Sequence, residues 1–262
     1  MEMSSVGIIG GTGLENLFQN APQTSLKTPY GMVPSIRTGT VEDKKVILLL
    51  RHGINHAIPP HRVNYRANVY ALHRIGANRI LATNAVGAIN PSMKPGDIVV
   101  PTDFIDFTKT RPSTFYDEAP VTHVDVSDAY CPKIRRVLIE NAKMHGLRVW
   151  SEGVLVCTEG PRFETPAEIE FFRRLGCDMV GMTGFPEVVL ARELQMCYAS
   201  ICYVSNMAAG MQRRLKASEV SKISKQTIPT IEEVLFDSVR SLPDKREATC
   251  PCAQGLRDAR FT

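Results

Sequence analysis

The chain has 262 residues, of which 44% are apolar and 22% charged. That length and composition exclude wholesale disorder and leave one or two domains with a real core. A net charge of +4 with no long basic run gives no electrostatic case for nucleic acid or an anionic membrane surface.

Residues 1–13 lack the basic flank and apolar run of a signal peptide. Residues 6–9 form a short apolar run that reads as a strand, ended by Gly10-Gly11-Thr12-Gly13. A five-residue aliphatic strand follows at 46–50, ended by Arg51-His52-Gly53. A helix is predicted at 68–75, with Val69, Leu72 and Ile75 on one stripe and a stop at Gly76. Strands at 79–83, ended by Asn84-Ala85-Val86-Gly87, and at 97–101 come next. The segment 132–145 begins with Pro and stops at Gly146, as a helix does. A strand at 153–157 precedes the clearest start signal in the chain. There Thr165 caps, Pro166 takes the first turn and Glu168 completes a capping box for a helix over 165–175. Strands at 178–182 and 198–204 follow. The uncharged stretch 194–212 is long enough to span a bilayer, but its Gln, Ser and Asn residues fit a buried strand entering a polar loop. The last helix covers 217–241, with Pro229 expected to kink or split it.

Alternating strands and helices argue for the α/β class. Residues 1–241 read as one domain and 242–262 as a C-terminal tail, or a clamp on a neighbour, carrying Cys250-Pro-Cys252. The seven cysteines have no framework spacing and read as mostly buried free thiols of a cytoplasmic protein. No HExxH, CxxC or clustered His/Asp set occurs, and Cys250 and Cys252 have too few local partners for a zinc site.

The chemically useful residues cluster just after the strands, where open α/β sheets bind ligands. They are Thr12, Arg51, His52, Asn84, Thr183 and Asn206. A Gly-rich turn at 10–13 lets backbone N–H groups approach an anion, or is simply a tight turn. A dinucleotide fingerprint fails for want of a third Gly and a ribose acid, and a P-loop fails for want of Gly-Lys-Ser/Thr. Arg51 offers a planar fork that matches phosphate, with His52 as a further donor. Phe163 is a stacking face for a flat base or a core aromatic. Glu159 and Glu187 hold an Arg or ribose hydroxyls, or make surface pairs. His123, near Asp125, sits in a polar loop.

The ordered motifs GIIGGTG, LLLRHGINH, HRVNYRANVYAL, ATNAVGAI, PGDIVVPTDFIDFT, RPSTFYD, CTEGPRFETPAE and MTGFPEVVLARE resemble the methylthioadenosine phosphorylases, of the trimeric purine nucleoside phosphorylase type. The resemblance runs from about Gly7 to Met207, and more weakly to about Ser241. It implies a single α/β domain with a central mixed sheet flanked by helices. It implies phosphorolysis of a purine nucleoside, with inorganic phosphate as co-substrate, no cofactor and no metal. It also implies a homotrimer, paired or not into a hexamer, with sites near subunit interfaces. Carried over residue by residue, the phosphate site is Thr12, Arg51, His52, Asn84, Ala85 and Thr183. Asn84 replaces the Thr usual in the adenosine-type members. Phe163 flanks the base, Met182 the ribose, and His123 reaches the 5′ end in a neighbouring subunit. Some members from hot environments carry disulfides and a C-x-C tail, which makes Cys131, Cys197, Cys202, Cys250 and Cys252 candidates for pairing.

One departure bears on specificity. Adenine-specific members carry a D-x-D pair where this chain has Asn206 and Ala208. A carboxylate only accepts hydrogen bonds and suits the 6-amino donor of adenine, whereas a 6-oxopurine shows acceptors at N7 and O6. Asn206 both donates and accepts, so the change predicts a 6-oxopurine preference and makes Asn206 the group that meets charge on the leaving base. Asn206 as a plain turn residue is the competing reading. Ala217 and Val220 are expected to line the 5′ pocket, and their apolar character leans toward a methylthio group. The sequence therefore predicts a methylthioinosine phosphorylase. The alternatives are a methylthioadenosine phosphorylase, an inosine/guanosine phosphorylase and a non-catalytic nucleoside-binding protein.

Overall fold

A computed structural model describes residues 5–14, 17–214, 217–247, 249–257 and 259–260. In chain order its strands and helices are β1 (Ser5–Gly10), β2 (Gln23–Thr28), β3 (Gly31–Val41), β4 (Lys44–Leu50), α1 (Tyr65–Arg74), β5 (Arg79–Ala88), β6 (Ile98–Val99), β7 (Asp103–Phe107), α2 (Pro132–Met144), β8 (Val149–Trp150), β9 (Val154–Thr158), α3 (Pro166–Arg174), β10 (Met179–Gly181), α4 (Glu187–Glu193), β11 (Cys197–Met207) and α5 (Ala217–Ser241).

The aliphatic runs dictate the layering. In β4, Val46, Leu48 and Leu50 join one core, and Ile47 and Leu49 the opposite one, as the period of two requires. Residues of α2 and α5 close the first core, with Ile228, Ile231, Val234, Leu235 and Val239 facing inward. Residues of α1 and α4 close the second. Both faces are thus covered, and each fully buried aliphatic side chain contributes about 1.5–3 kcal/mol. The result is one α/β domain around a mixed sheet.

Within that sheet the main path runs β2-β3-β4-β1-β5-β10-β9-β7. The long β5 holds it together. Its first half pairs in parallel with β1, from Val6 opposite Arg79 to Ile9 opposite Ala82. Its last residues pair antiparallel with β10, Val180 opposite Gly87. Its other edge pairs in parallel with β11 along its whole length. Residues 83–86 of β5 therefore lie where β1 has ended and β10 has not begun.

Four corrections to the predicted elements follow. Strands β5 and β11 run on through Asn84 and Asn206, because the polar residues in both keep their ladder partners. The β2–β3 hairpin, β7, β8 and α4 carry weak signals: Pro34 lies inside β3, and β7 is an edge strand with two aspartates. Helix α1 starts at Tyr65, where the Asn64 side chain accepts from Ala67 N–H. Helix α5 is not split, since Pro229 is exposed while Ile228 and Ile231 on either side are buried. Ala217 opens that helix, and its side chain lies outside the described residues. Among the described residues no helix is long and apolar enough to cross a membrane.

The tail packs on its own chain: Cys252 is buried in the first core, and Ala259 O accepts from His123 N–H. At α3 the predicted capping box is present, Thr165 and Glu168 satisfying each other's N–H groups. The expected cost of Thr165→Ala is about 1 kcal/mol, read as a lower denaturation midpoint with an unchanged denaturant slope.

Candidate active site

A cleft of about 510 Å³ opens at the uncovered stretch of β5. Its walls come from the turn after β1, the ends of β4, β5, β10 and β11, and the loop before α3. Thr12, Arg51, His52, Ala85, Phe163, Met182, Thr183, Asn206, Ala208 and Val220 all line it. Ten residues scattered from 12 to 220 are thereby brought to one place.

At the anion end, Gly11 N–H donates to Thr83 Oγ1 at 2.8 Å. A Cβ on Gly11 would stand 2.7 Å from Thr83 O and 2.9 Å from Arg51 Nη1, so only glycine fits there. Arg51 is buried, and its charge is balanced within the fold. Nε donates to Glu187 Oε1 at 2.6 Å, Nη2 to Glu187 Oε2 at 2.8 Å, and Nη1 to Thr83 O at 2.7 Å. Tyr198 adds a hydroxyl donated to Glu187 Oε2 at 2.9 Å. Burial works against the guanidinium charge, but Glu187 outweighs it and raises the Arg51 pKa. Three of the five guanidinium N–H groups are used in these bonds, which leaves two for an anion. Glu187 is thus the partner of Arg51 and makes no surface pair. Glu159 is also a structural acid, holding Lys109 N–H and the Thr110 hydroxyl.

His52 takes a different part from the donor expected. Its Nδ1 lies 2.8 Å from Ile58 O, and a carbonyl only accepts, so Nδ1 carries the proton. Burial first, then the charge of Arg51, lowers its pKa to about 3. The ring is neutral near pH 7 and its Nε2 is an acceptor. It stacks on His56 at 4.2 Å between centroids. A phosphate that meets His52 therefore does so best through a P–O–H proton.

Asn84 stands behind Thr183. Its Oδ1 accepts from the Thr183 hydroxyl at 2.8 Å, and it is only 1% exposed. Cys202 lies beneath it, 3.8 Å from Nδ2.

The far end of the cleft is built by a bulge. The register of β11 on β5 shifts between Val204 and Asn206, so Asn206 sits opposite Gly87. Such a bulge re-aims side chains, and both Ser205 and Asn206 line the cleft. The Ser205 hydroxyl donates to Asn206 Oδ1 at 2.7 Å, and Asn206 Nδ2 donates to Met207 O at 2.8 Å. One amide N–H and one carbonyl lone pair remain. Asn206 is a strand residue with hydrogen-bonding capacity to spare, not a turn. Phe163 is 41% exposed at the cleft wall and is no core aromatic.

Glu164 lines the same cleft and was not singled out in the sequence. It accepts from the Thr158 hydroxyl at 2.6 Å, and burial raises its pKa. The acidic residue directly after Phe163 was the available signal. His123 does not line the cleft of its own chain; its loop is tied to the tail, Thr122 bridging to Arg260.

Two outcomes are expected. Glu187→Gln places an N–H donor against an Arg51 N–H, and breaking a buried pair is costly. The phosphate KM should rise about tenfold or more, about 1.4 kcal/mol, with a smaller change in the nucleoside KM, read by steady-state kinetics. The second concerns acid. The folded pKa of His52, about 3, lies below its ordinary 6.5. Between those values the unfolded chain binds the extra proton, so stability is lost as pH falls through that window. His52→Asn keeps a donor for Ile58 O and does not titrate. Its melting temperature should fall less than the wild type's on going from about pH 7 to about pH 4.

Comparison with known proteins shows the family of the chain. The sequence profile of the phosphorylase superfamily matches residues 5–240. A probable S-methyl-5′-thioinosine phosphorylase of Methanopyrus kandleri is 51% identical over 259 residues, 98% of this chain and 99% of that one. The 6-oxopurine nucleoside phosphorylase of Pyrococcus furiosus is 47% identical, over 98% of this chain and 99% of its own. The methylthioadenosine phosphorylase of Schistosoma mansoni in complex with adenine superposes with a TM-score of 0.92 at 32% identity, covering 98% of this chain and 99% of that one. The chain therefore belongs to the phosphorylase superfamily, as a nucleoside phosphorylase.

Proposed function

We propose that the enzyme cleaves methylthioinosine with phosphate, giving hypoxanthine and 5-methylthioribose 1-phosphate. The observation that carries this reading is the base end of the cleft, where Asn206 and Ala208 stand in place of two carboxylates. The free N–H of Asn206 can donate to N7 or O6 of a 6-oxopurine, and its carbonyl lone pair can accept from a purine N–H. Glu164, on the same cleft, is an acceptor for the N1–H that a 6-oxopurine has and adenine lacks. Val220 gives the cleft an apolar side chain from α5, which suits a methylthio group better than a hydroxyl.

The reaction exchanges one bond for another. A phosphate oxygen forms a bond to the anomeric carbon while the C–N9 bond breaks and its electron pair goes to the purine. The sugar passes through an oxocarbenium-like state and the base gains negative charge. Thr12, the two remaining Arg51 donors, His52, Ala85 and Thr183 would hold the phosphate below the sugar. Thr183 would turn its hydroxyl from Asn84 to the ligand. Positioning of this kind supplies up to about 7–11 kcal/mol in the best model systems. The Asn206 amide N–H stabilises the departing purine electrostatically. An amide is no strong acid, so the proton the purine needs arrives through water, and its source is the P–O–H proton that the phosphate gives up on becoming a dianionic ester.

The same reading makes the working unit a homotrimer in a cytoplasmic purine salvage route. It assigns His123 to the 5′ end of a neighbouring subunit's substrate, which fits its place outside its own cleft.

Phosphate-dependent base release from methylthioinosine, methylthioadenosine and inosine tests the assignment. Methylthioinosine should lead by tenfold or more in kcat/KM, a gap of about 1.4 kcal/mol. Asn206→Asp with Ala208→Asp should move the preference toward the 6-aminopurine. A lead for methylthioadenosine in the wild type would overturn the account of base recognition.

A further inference from the structure

Cys131, Cys197, Cys250 and Cys252 come from three separate places in the chain and meet at one point. Cys131 is the residue before α2, Cys197 opens β11, and the other two flank Pro251 in the tail. The four Sγ atoms all lie within 4.8 Å of one another. The Cys197 and Cys250 sulfurs stand 3.5 Å apart. Cys131, Cys197 and Cys252 are buried and Cys250 is half-buried. The sequence offered Cys250 and Cys252 too few neighbours for a metal, because the other two lie 53 residues or more away along the chain. The fold supplies them.

We propose that these four cysteines form a structural site for one zinc ion. The donor set is all sulfur and four in number, the set of a closed tetrahedral zinc centre. With Zn–S bonds of about 2.3 Å, the sulfurs of such a centre stand about 3.8 Å apart. The cluster already has that size, so the ion enters with side-chain adjustment alone. Its four sulfurs are mutually close, as a single centre requires; two isolated disulfides would need only two close pairs. The surroundings suit the charge. A zinc tetrathiolate carries two negative charges, and Arg79, Lys133, Arg136 and Arg246 line the cavity that holds Cys131, Cys197 and Cys250, against a single acid, Glu247, which pairs with Lys133. Cys131 also occupies the N-cap position of α2, where a helix end favours negative charge. Binding exchanges thiol protons for the metal, and no electron moves. The role is to staple the tail to the start of β11.

The test uses the full chain, purified with reductant and washed with a mild chelator. Metal analysis should find about one zinc per chain. Cobalt exchanged into the site should show the strong visible absorption of a tetrahedral thiolate centre. Cys250→Ser with Cys252→Ser should drop the zinc content about tenfold or more and lower the melting temperature, while phosphorolysis at moderate temperature stays within about twofold. Cys177→Ser, outside the cluster, should keep the metal. Reduced wild-type protein that takes up no zinc on titration would overturn the proposal. So would an unreduced mass showing disulfides among the four, or zinc retained by the double variant.

Discussion

A guanidinium with no access to water has to find its counter-charge inside the protein, and in this molecule that need fixes the anion end of the cleft. Arg51 follows β4, Glu187 opens α4 just beyond β10, Thr83 belongs to β5, and Tyr198 to β11. One bidentate pair and its two supports therefore tie β4, β5, β11 and the turn after β10 together. A buried ion pair adds little net stability compared with apolar packing of the same volume. What it gives is position. The guanidinium is fixed before any ligand arrives, with two N–H groups unspent, so an anion that met it would lose little by ordering it.

The sheet supplies the space. Because β5 exchanges β1 for β10 as its neighbour partway along, a stretch of its edge is left uncovered, and the cleft occupies that gap. This is the open-sheet crevice at a topological switch, reached in a mixed sheet. The opposite edge of β5 stays paired with β11 throughout, so the anion and base ends are built on adjacent strands. The bulge at Ser205 then brings two consecutive residues to the cleft, where strict alternation would bring one. Ser205 fixes the amide of Asn206, and the amide keeps one donor and one acceptor unspent.

Much of this was legible because the informative signals are local. Aliphatic runs ending in Gly or Arg marked β1 and β4, and the Thr165–Glu168 box marked α3 to within a residue. The lining of the cleft was legible through the ordered motifs. What escaped depends on distant partners. The acid that neutralises Arg51 lies 136 residues away, so spacing alone left Glu187 between a ribose ligand and a surface pair. The tautomer of His52 is set by the Ile58 carbonyl, a backbone group that side-chain patterns do not encode. Strands β5 and β11 were cut short because Asn84 and Asn206 read as strand breakers, yet both keep their places in the ladder. The C-x-C of the tail looked isolated for the same reason: its partners, Cys131 and Cys197, are neighbours only after folding.

Strand β11 joins two ends of the molecule that do different work. Cys197 begins it and Asn206 is nearly its last residue, about 30 Å away at the usual rise per residue. A staple at Cys197 is therefore too far from the base to touch the chemistry. It reaches a different loop instead. The tail it anchors continues from Cys252 to Ala259 and Arg260, which hydrogen-bond and pair with the loop carrying Thr122 and His123. Fixing Cys250 and Cys252 restricts the chain that holds that loop, and so restricts where His123 is presented. The phosphate end needs no such tether, because Arg51 and Glu187 hold each other without it.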